Sequence, residues 1–232
     1  MPTKKIFLSV VMPAYNEKRT ILEIIKRVKA VNIPKEILII DDGSKDGTRE
    51  MLRKIKDREI RVFFNDKNRG KSYSVRRGIR EARGNIIIIQ DADLEYDPRD
   101  YPKLVSPIAS GKSKVVYGSR FPNPKDRPSL FNKYFIGNRV LTLMANILYN
   151  AKITDEPTCY KVFDAKVLKS LDLKSNRFEF CPEVTAKVRK KGYKIIEIPI
   201  KYYPRTVEEG KKINWKDGIE AIWTLLKYRF ID

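Results

Sequence analysis

The sequence predicts an α/β fold in which a mostly parallel central sheet is covered by helices on both faces. Two observations predict it. Through the first half of the chain, short runs of aliphatic and β-branched residues alternate with longer stretches whose apolar residues recur at helical spacing. Three of the short runs then pass directly into turn-forming or acidic residues: Pro13-Ala14-Tyr15-Asn16-Glu17, Asp41-Asp42-Gly43-Ser44 and Asp91-Ala92-Asp93. In an open parallel sheet, such residues gather at the C-terminal strand ends, where ligands bind.

The elements follow in order. Ile6–Met12 is the first expected strand, ended by Pro13, which cannot donate to a ladder. Glu17–Val31 is a helix on the spacing of Ile21, Ile24, Ile25 and Val28. Glu36–Ile40, Arg61–Asn65, Asn85–Gln90 and Lys114–Tyr117 are further strands. Between them lie helices at Asp46–Lys56, at Lys71–Arg83 (closed by Gly84) and at Pro98–Ser110.

The second half is less regular. Pro122, Pro124 and Pro128 mark a loop made basic by Arg120, Lys125 and Arg127. Phe131–Tyr149 is expected as a long helix, Cys159–Phe163 as a strand, Glu183–Lys191 as a helix and Tyr193–Ile200 as a strand. Arg205–Lys212 forms a basic loop with a glycine hinge. Trp215, Ile219, Ile222, Trp223, Leu226 and Phe230 then line one face of a terminal amphipathic helix. The expected organisation is one domain over residues 1–212 and a C-terminal helix over 213–232.

Composition narrows the chemistry. The chain has no histidine, which excludes Ser-His and Cys-His nucleophiles and histidine-bound zinc. Its two cysteines, Cys159 and Cys181, lack metal-ligand spacing and read as buried thiols. No apolar run reaches membrane-spanning length, and no signal peptide opens the sequence. A net charge of +20 implies anionic partners. The cations are dispersed rather than clustered among stacking aromatics, which disfavours a nucleic-acid-binding module.

Asp91 and Asp93 carry the strongest chemical signal. Residues i and i+2 of a strand point to the same face, so both carboxylates can address one point. Hard oxygen ligands suit Mg²⁺ or Mn²⁺, ions that commonly share their coordination with substrate phosphates. The absence of Gly-x-Gly-x-x-Gly after the first strand, and of a Gly-Lys-Ser/Thr phosphate loop, disfavours dinucleotide and P-loop folds.

The chain resembles the inverting family 2 glycosyltransferases with the GT-A fold, and among them the dolichyl-phosphate mannose synthases and related polyprenyl-phosphate glycosyltransferases. The stretches that carry the likeness are Val11–Glu17, Asp41–Thr48, Asn68-Arg69-Gly70-Lys71, Gly84–Leu94 and Gly118-Ser119-Arg120-Phe121, with a looser match through Asp155–Lys161 and Arg205–Lys212. The resemblance implies a catalytic domain whose nucleotide pocket is lined by Pro13, Tyr15, Glu17 and Ala92, with Asp42 reading the nucleoside. It implies that Asp91, Asp93 and Glu95 hold Mn²⁺ or Mg²⁺ against the donor diphosphate, and that Arg120, Arg205 and Lys211 face donor or acceptor phosphates. Asp93, Arg120 and Arg205 would carry catalysis. Ser72 and Ser74 depart from the small Gly and Ala common in the family.

The expected reaction is inverting transfer of a hexose from a nucleotide sugar, GDP-mannose or a UDP-sugar, to a polyprenyl (dolichyl) phosphate. A sugar-hydroxyl acceptor would instead require a base, with Asp155 and Glu183 as candidates. A nucleotide-sugar sensor without turnover is a further alternative. The terminal helix, with Lys216, Lys227 and Arg229 beside its apolar face, suits peripheral attachment to the cytoplasmic face of a membrane. The same face could also pack on the catalytic domain, and both hold if the helix docks through Trp215 and Ile219 while Phe230 and its basic neighbours meet lipid.

Overall fold

The structure, a computed structural model, describes residues 6–122, 133–205 and 215–231. Seven strands form one sheet in the order β3-β2-β1-β4-β6-β5-β7. They are β1 (Leu8–Ala14), β2 (Lys35–Asp41), β3 (Ile60–Phe64), β4 (Ile86–Ile89), β5 (Val115–Ser119), β6 (Lys161–Asp164) and β7 (Ile195–Pro199). β6 lies antiparallel between β4 and β5, and all the other pairings are parallel. The helices are α1 (Ile21–Lys29), α2 (Thr48–Arg53), α3 (Lys71–Glu81), α4 (Tyr101–Ala109), α5 (Lys133–Tyr149), α6 (Ala165–Lys169), α7 (Phe180–Lys190) and α8 (Trp215–Phe230).

The α/β expectation holds, because β1, β2 and β4 are buried along their whole length and therefore carry apolar runs at Val10–Met12, Ile37–Ile40 and Ile86–Ile89. Three local expectations are corrected. β1 continues through Pro13 to Ala14, in register with β2. Val11 accepts a bond from Gln90 on the β4 side, so the alternation aims Pro13 to that side too, beyond the end of β4, where its missing N–H breaks no ladder bond. α1 begins at Ile21, and Glu17 stands before the helix, its amide donating to Thr48 Oγ1 at 2.9 Å. The strand expected from Cys159 starts at Lys161, and the short α6 follows it directly.

Ser72 and Ser74 fit without strain. Both are fully buried, and each hydroxyl is bonded: Ser72 donates to the Arg177 carbonyl at 2.6 Å, and Ser74 accepts from Asn65 at 3.0 Å. Close approach is needed one turn later, at Gly78. A Cβ there would stand 2.4 Å from Val11 Cγ1, so α3 lies directly on β1.

α5, α7 and α8 pack together beyond the sheet, and Tyr149 donates across to the Leu225 carbonyl. α8 buries Ala221, Leu225 and Tyr228 in the shared core. Its other face, with Trp215, Ile219, Trp223 and Phe230, is exposed. That corrects docking through Trp215 and Ile219, whereas Ile222, expected on the same face, is partly buried against the core. α5 has a second apolar stripe that sequence reading did not separate from its buried one: Ile136, Val140, Leu143 and Ile147 are all exposed. No helix among the described residues is long and apolar enough to cross a membrane.

Candidate active site

The C-terminal ends of the parallel strands open into a cleft of about 250 Å³. β1 delivers Pro13, Ala14, Tyr15 and Glu17; β2 delivers Asp42; β4 delivers Asp91, Ala92, Asp93 and Glu95; β5 delivers Arg120. Arg205, which follows β7, reaches in from the far side. Every expected site residue except Lys211 therefore lines one cleft. Lys211 and the basic loops at 123–128 and 206–212 lie outside the described residues.

Asp91 and Asp93 line the same cleft, and each is paired with a cation. Asp91 Oδ1 is paired with Lys71 Nζ at 2.6 Å, while Asp93 Oδ2 is paired with Arg205 Nη2 at 2.7 Å. Arg205 also holds Glu17 at 3.2 Å, and its backbone amide donates to Glu95 Oε1 at 2.8 Å. Burial would raise the Asp91 pKa, but the Lys71 ammonium outweighs it and the carboxyl is held below its ordinary range. At Asp93, burial and the Asp91 charge push the pKa up to about 7, and Arg205 offsets only part of this.

Chemically, the donor set fits a divalent ion. Glu17, Asp91, Asp93 and Glu95 bring four hard carboxylates to the cleft, where Lys71 and Arg205 pair with them. Carboxylate oxygens are the donors that Mn²⁺ and Mg²⁺ prefer. Yet no preformed cluster of three such ligands exists among the described residues.

Two other expected residues are already engaged. Asp42 accepts from Asn65 at 2.7 Å, from the Arg69 amide at 3.0 Å and from the Gly70 amide at 2.8 Å, and so fixes the loop that leads to α3. Arg120 forms a two-pronged pair with Asp155, at 2.8 and 2.7 Å, and stacks over the Tyr202 ring. Asp155 thus positions Arg120. Glu183 is buried, accepting from the Lys174 and Ser175 amides and from Lys187. Both candidate bases for a hydroxyl acceptor are committed elsewhere. Asp41, the last residue of β2, accepts from the Ser44 amide and Arg49 and acts structurally.

Lys71 is the main residue that sequence reasoning missed, although its motif was noted. A lysine opening a helix opposes the dipole, and α3 has no acidic residue in its first turn. That local cost was the available signal for a specific carboxylate partner.

The comparisons agree with this geometry. Residues 9–172 match the model for "Glycosyl transferase family 2". The low-salt glycan biosynthesis hexosyltransferase Agl6 of Haloferax volcanii is 31% identical over 97% of this chain and 53% of that protein. The UDP-N-acetylglucosamine–dolichyl-phosphate N-acetylglucosaminyltransferase of Methanococcus voltae is 26% identical over 97% of this chain and 96% of that protein. The dolichol-phosphate mannosyltransferase of Pyrococcus furiosus is 26% identical over 88% of this chain and 58% of that protein. Among solved structures, the glucosyl-3-phosphoglycerate synthase of Mycobacterium tuberculosis, in complex with Mn²⁺, UDP and phosphoglyceric acid, superimposes with a TM-score of 0.75. It is 18% identical, over 98% of this chain and 80% of that one, a likeness of fold. The fold is GT-A, and the chain belongs to glycosyl transferase family 2, a family of sugar-transferring enzymes.

Proposed function

We propose that this enzyme transfers a hexose from a nucleotide sugar to a polyprenyl phosphate, with inversion at the anomeric carbon. The observation that carries this reading is the pairing of an acidic cleft with cations on its far wall, Arg120 and Arg205, beside an exposed apolar helix pair. Asp91, Asp93 and Glu95 are the residues that would hold Mn²⁺ or Mg²⁺, and such an ion supplies positive charge to a leaving diphosphate. The protein's own part is positioning. Pro13, Tyr15 and Asp42 form the nucleoside side of the cleft, and Arg120 and Arg205 orient phosphate oxygens. An acceptor phosphate oxygen attacks the anomeric carbon opposite the leaving group, forming one C–O bond as the other breaks. A phosphate is already anionic, so no general base is needed. That agrees with the absence of histidine and with the engagement of Asp155 and Glu183.

The relatives' names divide over the sugar: mannose in one, N-acetylglucosamine in another. The test is a turnover screen of GDP-mannose, UDP-N-acetylglucosamine and UDP-glucose with Mn²⁺ against short polyprenyl phosphates. Transfer to lipid phosphate by one donor is the expected outcome; transfer only to sugar hydroxyls would reject the acceptor.

The acceptor's membrane is met by the exposed stripes of α5 and α8. Ile136, Val140, Leu143 and Ile147 lie on one helix and Ile219, Trp223 and Phe230 on its neighbour, flanked by Arg139, Lys227 and Arg229. An apolar face rimmed by cations suits an anionic, cytoplasmic leaflet, with peripheral rather than spanning attachment. Asn138 of α5 lines the cleft, so the helix that offers the stripe also reaches the site. Because α8 contributes to the core, substitution tests this better than truncation. Leu143→Glu with Trp223→Glu is expected to abolish salt-sensitive sedimentation with anionic vesicles while the melting temperature stays put. Undiminished binding would remove the surface from consideration.

A further inference from the structure

The acidic cleft carries its own cations in the positions a metal and a diphosphate would have to claim. Lys71 opens α3 immediately after Gly70, whose φ of +97° and tight approach to the Asn176 carbonyl leave no room for a side chain. The Gly70 amide is tied to Asp42, so the loop holds Lys71 over Asp91. Arg205 bridges Asp93, Glu17 and Glu95. Its buried Nε–H finds no hydrogen-bond acceptor among the described residues, the nearest carboxylate oxygen lying 3.8 Å away on Glu95. A guanidinium with one buried donor unsatisfied is short of its best arrangement, and an added phosphate oxygen would complete it.

We propose that Lys71 and Arg205 are exchangeable counter-cations, pairing with Asp91 and Asp93 until a divalent ion takes the carboxylates and then moving to diphosphate oxygens. This rests on reading the cleft as a nucleotide-diphosphate site. Its physical basis is competition. An ion entering alone must break two short ion pairs and leave two cations facing like charge. An ion entering with a diphosphate gives those cations new anionic partners. Metal and nucleotide binding are therefore coupled through two named side chains, and the coupling is reciprocal.

The experiment titrates Mn²⁺ into the full chain, following the free-ion EPR signal, with and without saturating GDP or UDP. In the unaltered protein the nucleotide is expected to tighten Mn²⁺ binding by roughly 5- to 150-fold, the ordinary span of coupling between sites. Arg205→Met and Lys71→Met should bind Mn²⁺ more tightly than the parent without nucleotide, yet bind nucleoside diphosphate more weakly when Mn²⁺ is saturating. A merely structural contact would move both affinities down together, or neither, and either result would overturn the exchange. Lys71→Arg and Arg205→Lys keep the charge and should retain the parent's behaviour. They also carry the test if a methionine variant fails to fold, since loss of coupling in them without a change in melting temperature would count against the proposal. If no form bound GDP or UDP while the methionine variants still gained Mn²⁺ affinity, the nucleotide reading would fall and the cations' hold on the carboxylates would stand.

Discussion

Replacing Asp93 by alanine is expected to lower turnover by about 10²-fold or more, the scale of losing one preorganised electrostatic contact at a site of developing charge. Asp93 is the carboxylate most exposed to its neighbours' charge. Asp91 raises its proton affinity, and Arg205 holds its outer oxygen at 2.7 Å. The substitution takes away a hard oxygen ligand and also releases Arg205 from its strongest partner. Steady-state transfer rates for the two proteins, with and without excess chelator, measure the effect. Near-normal turnover in chelator would show that Asp93 works without a divalent ion.

Asp155→Ala is expected to destabilise the fold by about 3–5 kcal/mol, because it removes the carboxylate that is paired with a buried guanidinium. Side-chain exposure is only 8% for Arg120 and 3% for Asp155. Asp155 also receives the Arg120 backbone amide at 2.9 Å, and its own amide donates to Glu197 on β7 at 3.0 Å, so the pair ties the end of β5 to β7. At about 2–4 °C per kcal/mol for a chain of this size, the melting temperature should fall by roughly 6–20 °C. Asp155→Asn, which keeps an acceptor, should lose less. A shift within a degree or two for the alanine variant would mean that Arg120 finds water instead.

Much of the site was legible because parallel sheets impose a simple grammar. Strands buried on both faces are mostly aliphatic, and the polar residues that follow them lie at the ligand edge, so Asp42, Asp91 and Asp93 could be placed from chain order alone. The pairings among them could not. Arg205 meets Asp93 across 112 residues, and nothing local in either segment records that contact. The antiparallel insertion of β6 was hidden for the same reason, since its four residues look like any short buried strand. The second apolar stripe of α5 escaped because that helix is apolar around most of its circumference, which leaves periodicity little to separate.

The placement of β6 also bears on the order in which a growing chain can become safe from self-association. β1 to β4 are complete once residue 89 has been made, and together they form half a sheet. One border of that half-sheet is Ile86–Ile89, whose neighbour β6 is encoded more than 70 residues later, at Lys161–Asp164. During that interval an all-isoleucine tetrapeptide is a bare seam, offering unpaired amides and carbonyls to any passing strand. The late partner strand is therefore a closure as well as a structural element: its arrival converts an adhesive border into the middle of a sheet.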